Sequence, residues 1–77
     1  MIKVLKKLEL EHKGQKVDVL IRHIEFEGAK KSMAEFLFVF NNKPYGEFAE
    51  IIDANDDLIK ETVLLLEYKV KEVLSKL

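Results

Sequence analysis

Residues able to do chemistry are few, and the first to test is the acidic run Asp53-Ala54-Asn55-Asp56-Asp57. Its oxygens fall at the first, third and fifth positions of a calcium-binding loop, where carboxylates and amides ligate a hard cation. The pattern fails further on: Leu58 stands where the sharp turn needs glycine, and Leu64 where a bidentate glutamate closes the shell. The run reads instead as a helix start, with Asn55 as N-cap and Asp53, Asp56 and Asp57 beside the positive end of the helix dipole. The imidazoles are His12 and His23, and neither a cysteine nor a serine elbow accompanies them. His12 falls at a turn and His23 at an expected bulge, so no nucleophile, base and orienter can be assigned. The chain is read as non-enzymatic, with no catalytic residue, metal ligand or cofactor site.

A second chemistry is phosphate contact. Lys3, Lys7, Lys16 and Arg22 share the strand parity opposite to the core, and clustered cations of this kind bind nucleic acid or an acidic partner. Glu9, Glu11 and Asp18 interrupt them. The formal charge is −1; residues 1–46 carry a small basic excess and residues 47–77 a small acidic one. That polarity falls well short of domains that bind nucleic acid by charge alone. The run Phe36-Leu37-Phe38-Val39-Phe40 has a likeness to the base-stacking strand of RNA-recognition motifs. It lacks the preceding basic-glycine pair and the internal glycine, Asn41 stands where the last aromatic belongs, and no helix fits between the first two strands.

The elements that would position these residues follow from periodicity. Met33 to Phe40 is the most apolar run, of strand length, with Ala34, Phe36, Phe38 and Phe40 on one face and Met33, Leu37 and Val39 on the other. Ile2, Val4, Leu8 and Leu10 share a parity, with Lys6 the exception, and Val17, Val19 and Ile21 alternate after them. This predicts a hairpin turning at Lys13-Gly14, with Leu10 facing Val17, Leu8 facing Val19 and Glu11 facing Lys16. Ile24 and Phe26 break phase with Ile21, which predicts a β-bulge near Arg22-His23 that returns them to the core face. Tyr45 to Ala49 reads as a short edge strand preceded by Pro44, with Glu50-Ile51-Ile52 undecided between strand and helical turn.

From Asn55 the period is helical: Ile59, Val63, Leu66, Val70, Val73, Leu74 and Leu77 form one stripe. Asp56–Lys60, Glu67–Lys71 and Glu72–Lys76 are expected i,i+4 pairs. Leu64 and Tyr68 lie four apart on the side away from that stripe.

With 48% apolar residues and no cysteine, the chain is expected to be one small domain over residues 1–77 that needs efficient packing or a partner to complete its core. No stretch has the length and apolarity of a signal peptide or membrane span, and a cytoplasmic location is expected. The expected fold is α+β: an antiparallel meander of three or four strands with one long C-terminal α-helix across one face. One helix leaves Met33, Leu37, Val39, Leu5 and Leu20 uncovered, and such apolar patches mark interfaces. The reading is a small protein–protein interaction module, a homodimer or a partner-binding modulator or inhibitor of the kind viruses and mobile elements carry. Leu64 and Tyr68 belong to the same expected interface. The alternative is a nucleic-acid-binding accessory protein using Lys3, Lys7, Lys16 and Arg22.

Overall fold

The computed structural model describes residues 1–53 and 55–77. Four strands, β1 (Ile2–His12), β2 (Gln15–Glu25), β3 (Lys31–Phe40) and β4 (Lys43–Ile52), form an antiparallel sheet in the order β1-β2-β3-β4, followed by helix α1 (Asp56–Ser75). The fold is therefore ββββα, as the periodicity predicts. Lys13 and Gly14 both have positive φ (52° and 76°), as do Asn41 and Asn42 (51° and 63°), the signature of two-residue type I′ hairpin turns. The first turn sets Leu10 against Val17, Leu8 against Val19 and Glu11 against Lys16, in the expected register. The second extends β4 to ten residues, absorbing Glu50-Ile51-Ile52.

The bulge is not where the phase change in β2 suggested. It lies in β1, where Val4 faces Arg22 but Lys6 faces Ile21, so Leu5 is the inserted residue. β2 stays regular, and its odd-numbered residues Val17, Val19, Ile21 and His23 all face the helix. Ile24 consequently points to the opposite face and Phe26 lies exposed beyond the strand, neither joining the core. The physical reason is position in the sheet. A bulge in interior β2 would disturb ladders on both sides, whereas one in edge β1 disturbs a single ladder.

Helix α1 crosses the face on which Phe36, Phe38 and Phe40 alternate, burying Leu66, Val70 and Leu74 against them and against Val17, Val19, Ile21, Ala34 and Ile51. Ile59, Val63, Val73 and Leu77 flank that cluster, so the whole predicted stripe is used. Asn55 caps the helix by accepting from the Leu58 N–H at 2.9 Å. Of the expected i,i+4 pairs only Glu72–Lys76 forms among the described residues, at 4.0 Å. Glu67 instead turns down to Lys6, and Lys69 reaches Glu47 at 3.8 Å. These cations and carboxylates pin the helix to both sheet edges. Among the described residues no helix is long and apolar enough to cross a membrane.

Candidate functional site

One helix covers one face of a four-stranded sheet, and among the described residues nothing lies over the opposite face. Register places Lys7, Glu9 and Glu11 of β1 there with Lys16, Asp18, Leu20, Arg22 and Ile24 of β2. β3 adds Lys31, Met33, Glu35, Leu37 and Val39, and β4 adds Pro44, Gly46, Phe48, Glu50 and Ile52. The β1 bulge brings Ile2 and Val4 to this face as well, opposite Ile24 and Arg22. The result is a polar end, where Lys16 lies 3.9 Å from both Glu9 and Asp18, an apolar middle, and a far end where Ile2, Ile24, Met33 and Ile52 share the face with the Lys31–Glu50 ion pair at 3.0 Å.

At its centre Arg22 pairs with Glu35 across β2 and β3, donating from Nε to Oε1 at 3.0 Å and from a terminal nitrogen to the same oxygen. Their side chains are only 28% and 17% exposed although no element lies above them. Val4 and Phe48 flank the pair in the same cross-strand row, and Leu20, Leu37, Ile24 and Met33 form the rows on either side. A partly desolvated Arg–carboxylate pair inside an apolar ring has the make-up of an interface centre, where arginine and aromatic residues are enriched.

Gly46 shapes this surface. A Cβ there would meet the Phe36 carbonyl oxygen at 2.7 Å and Leu37 Cδ2 at 3.1 Å, so the absent side chain is the space in which Leu37 lies over β4.

The structure redistributes the residues singled out from sequence. Met33, Leu37, Val39 and Leu20 are together on the open face as expected. Leu5 is not: as the bulged residue it packs at the margin of the helix-side core and lines a groove with Ile59, Val63 and Leu64. The periodicity missed Ile2, Val4, Ile24, Phe48 and Ile52, four of them about half or more exposed. For Phe48 and Ile52 the signal was the alternation of Phe48, Glu50 and Ile52 against Ala49 and Ile51. Leu64 and Tyr68 are exposed at 64% and 70%, and Leu65 beside them at 49%.

The four cations do not assemble. Lys3 faces His23 on the helix side, and Arg22 is taken by Glu35. The open face carries five carboxylates against four cations, so its charge is mixed and no basic patch forms on it. The three phenylalanines of β3 are buried at 0–4% exposure under the helix and offer no stacking platform.

The histidines are also placed differently. His12 is half-buried, its ring edge-on to Phe40 at 5.4 Å, rather than a solvated turn residue. His23 is in regular strand and 3% exposed, with Nε2 at 2.8 Å from Ser32 Oγ and Nδ1 at 3.4 Å from Glu25 Oε1. Serine, imidazole and carboxylate in that order form the chain of contacts that activates a nucleophile. Here Ser32 is 6% exposed on the helix side of the sheet, and its hydroxyl is the hydrogen-bond partner that a buried imidazole requires. Sequence reasoning could not see this contact, because it depends on which parity of β2 faces inward. Among the described residues no group of three His, Asp or Glu side chains is placed to hold a metal ion; Ala54 of the acidic run lies outside them.

Compared with known proteins, the chain matches no family model, no curated protein and no solved structure.

Proposed function

We propose that this chain is a binding module that acts on a protein partner through the open face of its sheet, as an accessory subunit or inhibitor that works by occupancy rather than by chemistry. The observation that carries this reading is the uncovered apolar ring around the partly desolvated Arg22–Glu35 pair, with Val4, Val39, Phe48 and Ile52 standing out of it. Two dimensions support it. A 9.0 kDa chain folded to a closed globule exposes about 4,900 Å², and this one exposes 5604 Å². The surplus is similar to the ~800 Å² that each partner contributes to a standard interface. Its radius of gyration is 13.1 Å, against roughly 11.5 Å for a compact chain of this length.

The test is retention of proteins from the source cell by the folded wild type and two double variants. Val4→Lys with Val39→Asp puts charge on the open face; Leu64→Ser with Tyr68→Ser removes the exposed helix ridge. A protein held by the wild type and the helix variant but lost from the face variant assigns the site. Loss only from the helix variant moves the site to α1. Equal retention by all three, or by none, refutes the reading.

A further inference from the structure

The two edges of the sheet are built differently. β1 is interrupted by the Leu5 bulge, and the ladder bonds that closure at His12–Gln15 assigns inward leave Lys7, Glu9 and Glu11 with outward backbone groups. Bulges and charged side chains are how edge strands are kept from pairing with another chain. β4 has ten uninterrupted residues. The bond from the Asp53 N–H to the Lys30 carbonyl, at 3.3 Å, fixes its phase: odd-numbered residues bond to β3, and Gly46, Phe48, Glu50 and Ile52 present their N–H and C=O groups outward. Pro44, which has no N–H to offer, sits at the one end of that row. Apolar side chains flank the edge on both sides of the sheet. Phe48 and Ile52 are 68% and 55% exposed on the open face, and Leu65, one helical turn before the Lys69 that reaches Glu47, is 49% exposed on the helix side.

We infer that β4 pairs antiparallel with β4 of a second copy of this chain, across a two-fold axis at Phe48, to form one continuous eight-stranded sheet. The occupant follows from the residues opposed. Centring on Phe48 sets Phe48 against its counterpart, Pro44 against Ile52, Tyr45 against Ile51, Gly46 against Glu50 and Glu47 against Ala49, so no carboxylate meets another. Centring on Glu47 or Glu50 places like charges directly opposite, which is destabilising. Centring on Ala49 turns Glu50 onto Phe48 and Glu47 onto Ile51, losing the apolar matches. Pairing also brings the two Leu65 side chains toward each other over the axis and joins the two open faces through Phe48. It shares Phe48 and Ile52 with the open face but rests on the main-chain groups of the β4 edge, so it can fail while the rest of that face, Val4 and Val39 included, still binds a partner.

Sedimentation equilibrium of the purified chain tests it: twice the 9.0 kDa mass is expected at micromolar concentration. Glu50→Pro removes an outward N–H at both symmetry-related positions and spares every main-chain hydrogen bond to β3, losing only the exposed Lys31–Glu50 ion pair at 3.0 Å. It should weaken self-association by roughly tenfold or more with helical circular dichroism retained. The chain has no cysteine, so single substitutions report proximity cleanly. Phe48→Cys should cross-link under mild oxidation, since a hydrogen-bonded antiparallel pair spaces Cα atoms at about 5.5 Å, within disulfide range, while Lys7→Cys on β1 should not. A monomer at all concentrations overturns the inference. So does a dimer that ignores Glu50→Pro, one that Val39→Asp dissociates in its place, or cross-linking of Lys7→Cys as fast as that of Phe48→Cys.

Discussion

The two faces of this sheet use the same strands and nearly the same vocabulary of side chains, yet one is a core and the other a surface. On the helix side β3 contributes Ala34, Phe36, Phe38 and Phe40 at 0–4% exposure; on the other it contributes Met33, Leu37 and Val39, the last at 60%. The difference is not hydrophobicity but what lies opposite. Leu66, Val70 and Leu74 of α1 pack against the first face, whereas the second holds its centre together with an ion pair and a glycine notch. A face packed by its own chain should be intolerant of lost volume, and a face that its own chain leaves uncovered should be tolerant of it.

The largest test of that contrast is Phe36→Ala, which empties the centre of the covered face and should cost about 3–5 kcal/mol in urea unfolding, with Leu66→Ala at roughly 2–5 kcal/mol from the helix side. Should either cost less than ~1 kcal/mol, the helix is not the lid of this core. Next is Gly46→Ala. The added methyl meets a main-chain oxygen of an interior strand that cannot step aside, so about 1–3 kcal/mol should be lost although the site lies on the open face. A neutral result would mean that β4 shifts freely against β3. Ser32→Ala deprives buried His23 of its partner and should cost ~1–3 kcal/mol. An active-site-directed fluorophosphonate should leave Ser32 unmodified, and labelling at that residue would replace the packing role given to it here. The smallest effects belong to exposed positions: Val39→Asp, and Leu64→Ser with Tyr68→Ser, should each stay within ~1 kcal/mol.

Much of this was legible in the residues themselves. Period-two alternation in β3, the turn residues Lys13-Gly14, the capping Asn55 and the stripe from Ile59 to Leu77 gave the element types, the first hairpin's register and the helix phase. The candidate surface was half legible. Leu20, Met33, Leu37 and Val39 are where parity puts them, but Leu5 and Lys3 were misassigned because an edge-strand bulge leaves no mark in β2, and Ile2 and Val4 changed faces with it. The Glu67–Lys71 pair was equally natural from sequence. It lost to Lys6, which the same bulge presents to the helix.

Sequence by itself determined local geometry, because positive φ at a two-residue turn, a side-chain cap and a hydrophobic period are decided within a few residues of one another. Only the tertiary structure decided which strand absorbed the phase error, since the cost of a bulge depends on how many neighbours a strand has. The same holds for the burial of His23 and for the exposure of an apolar face: each is settled by what packs against it from far along the chain.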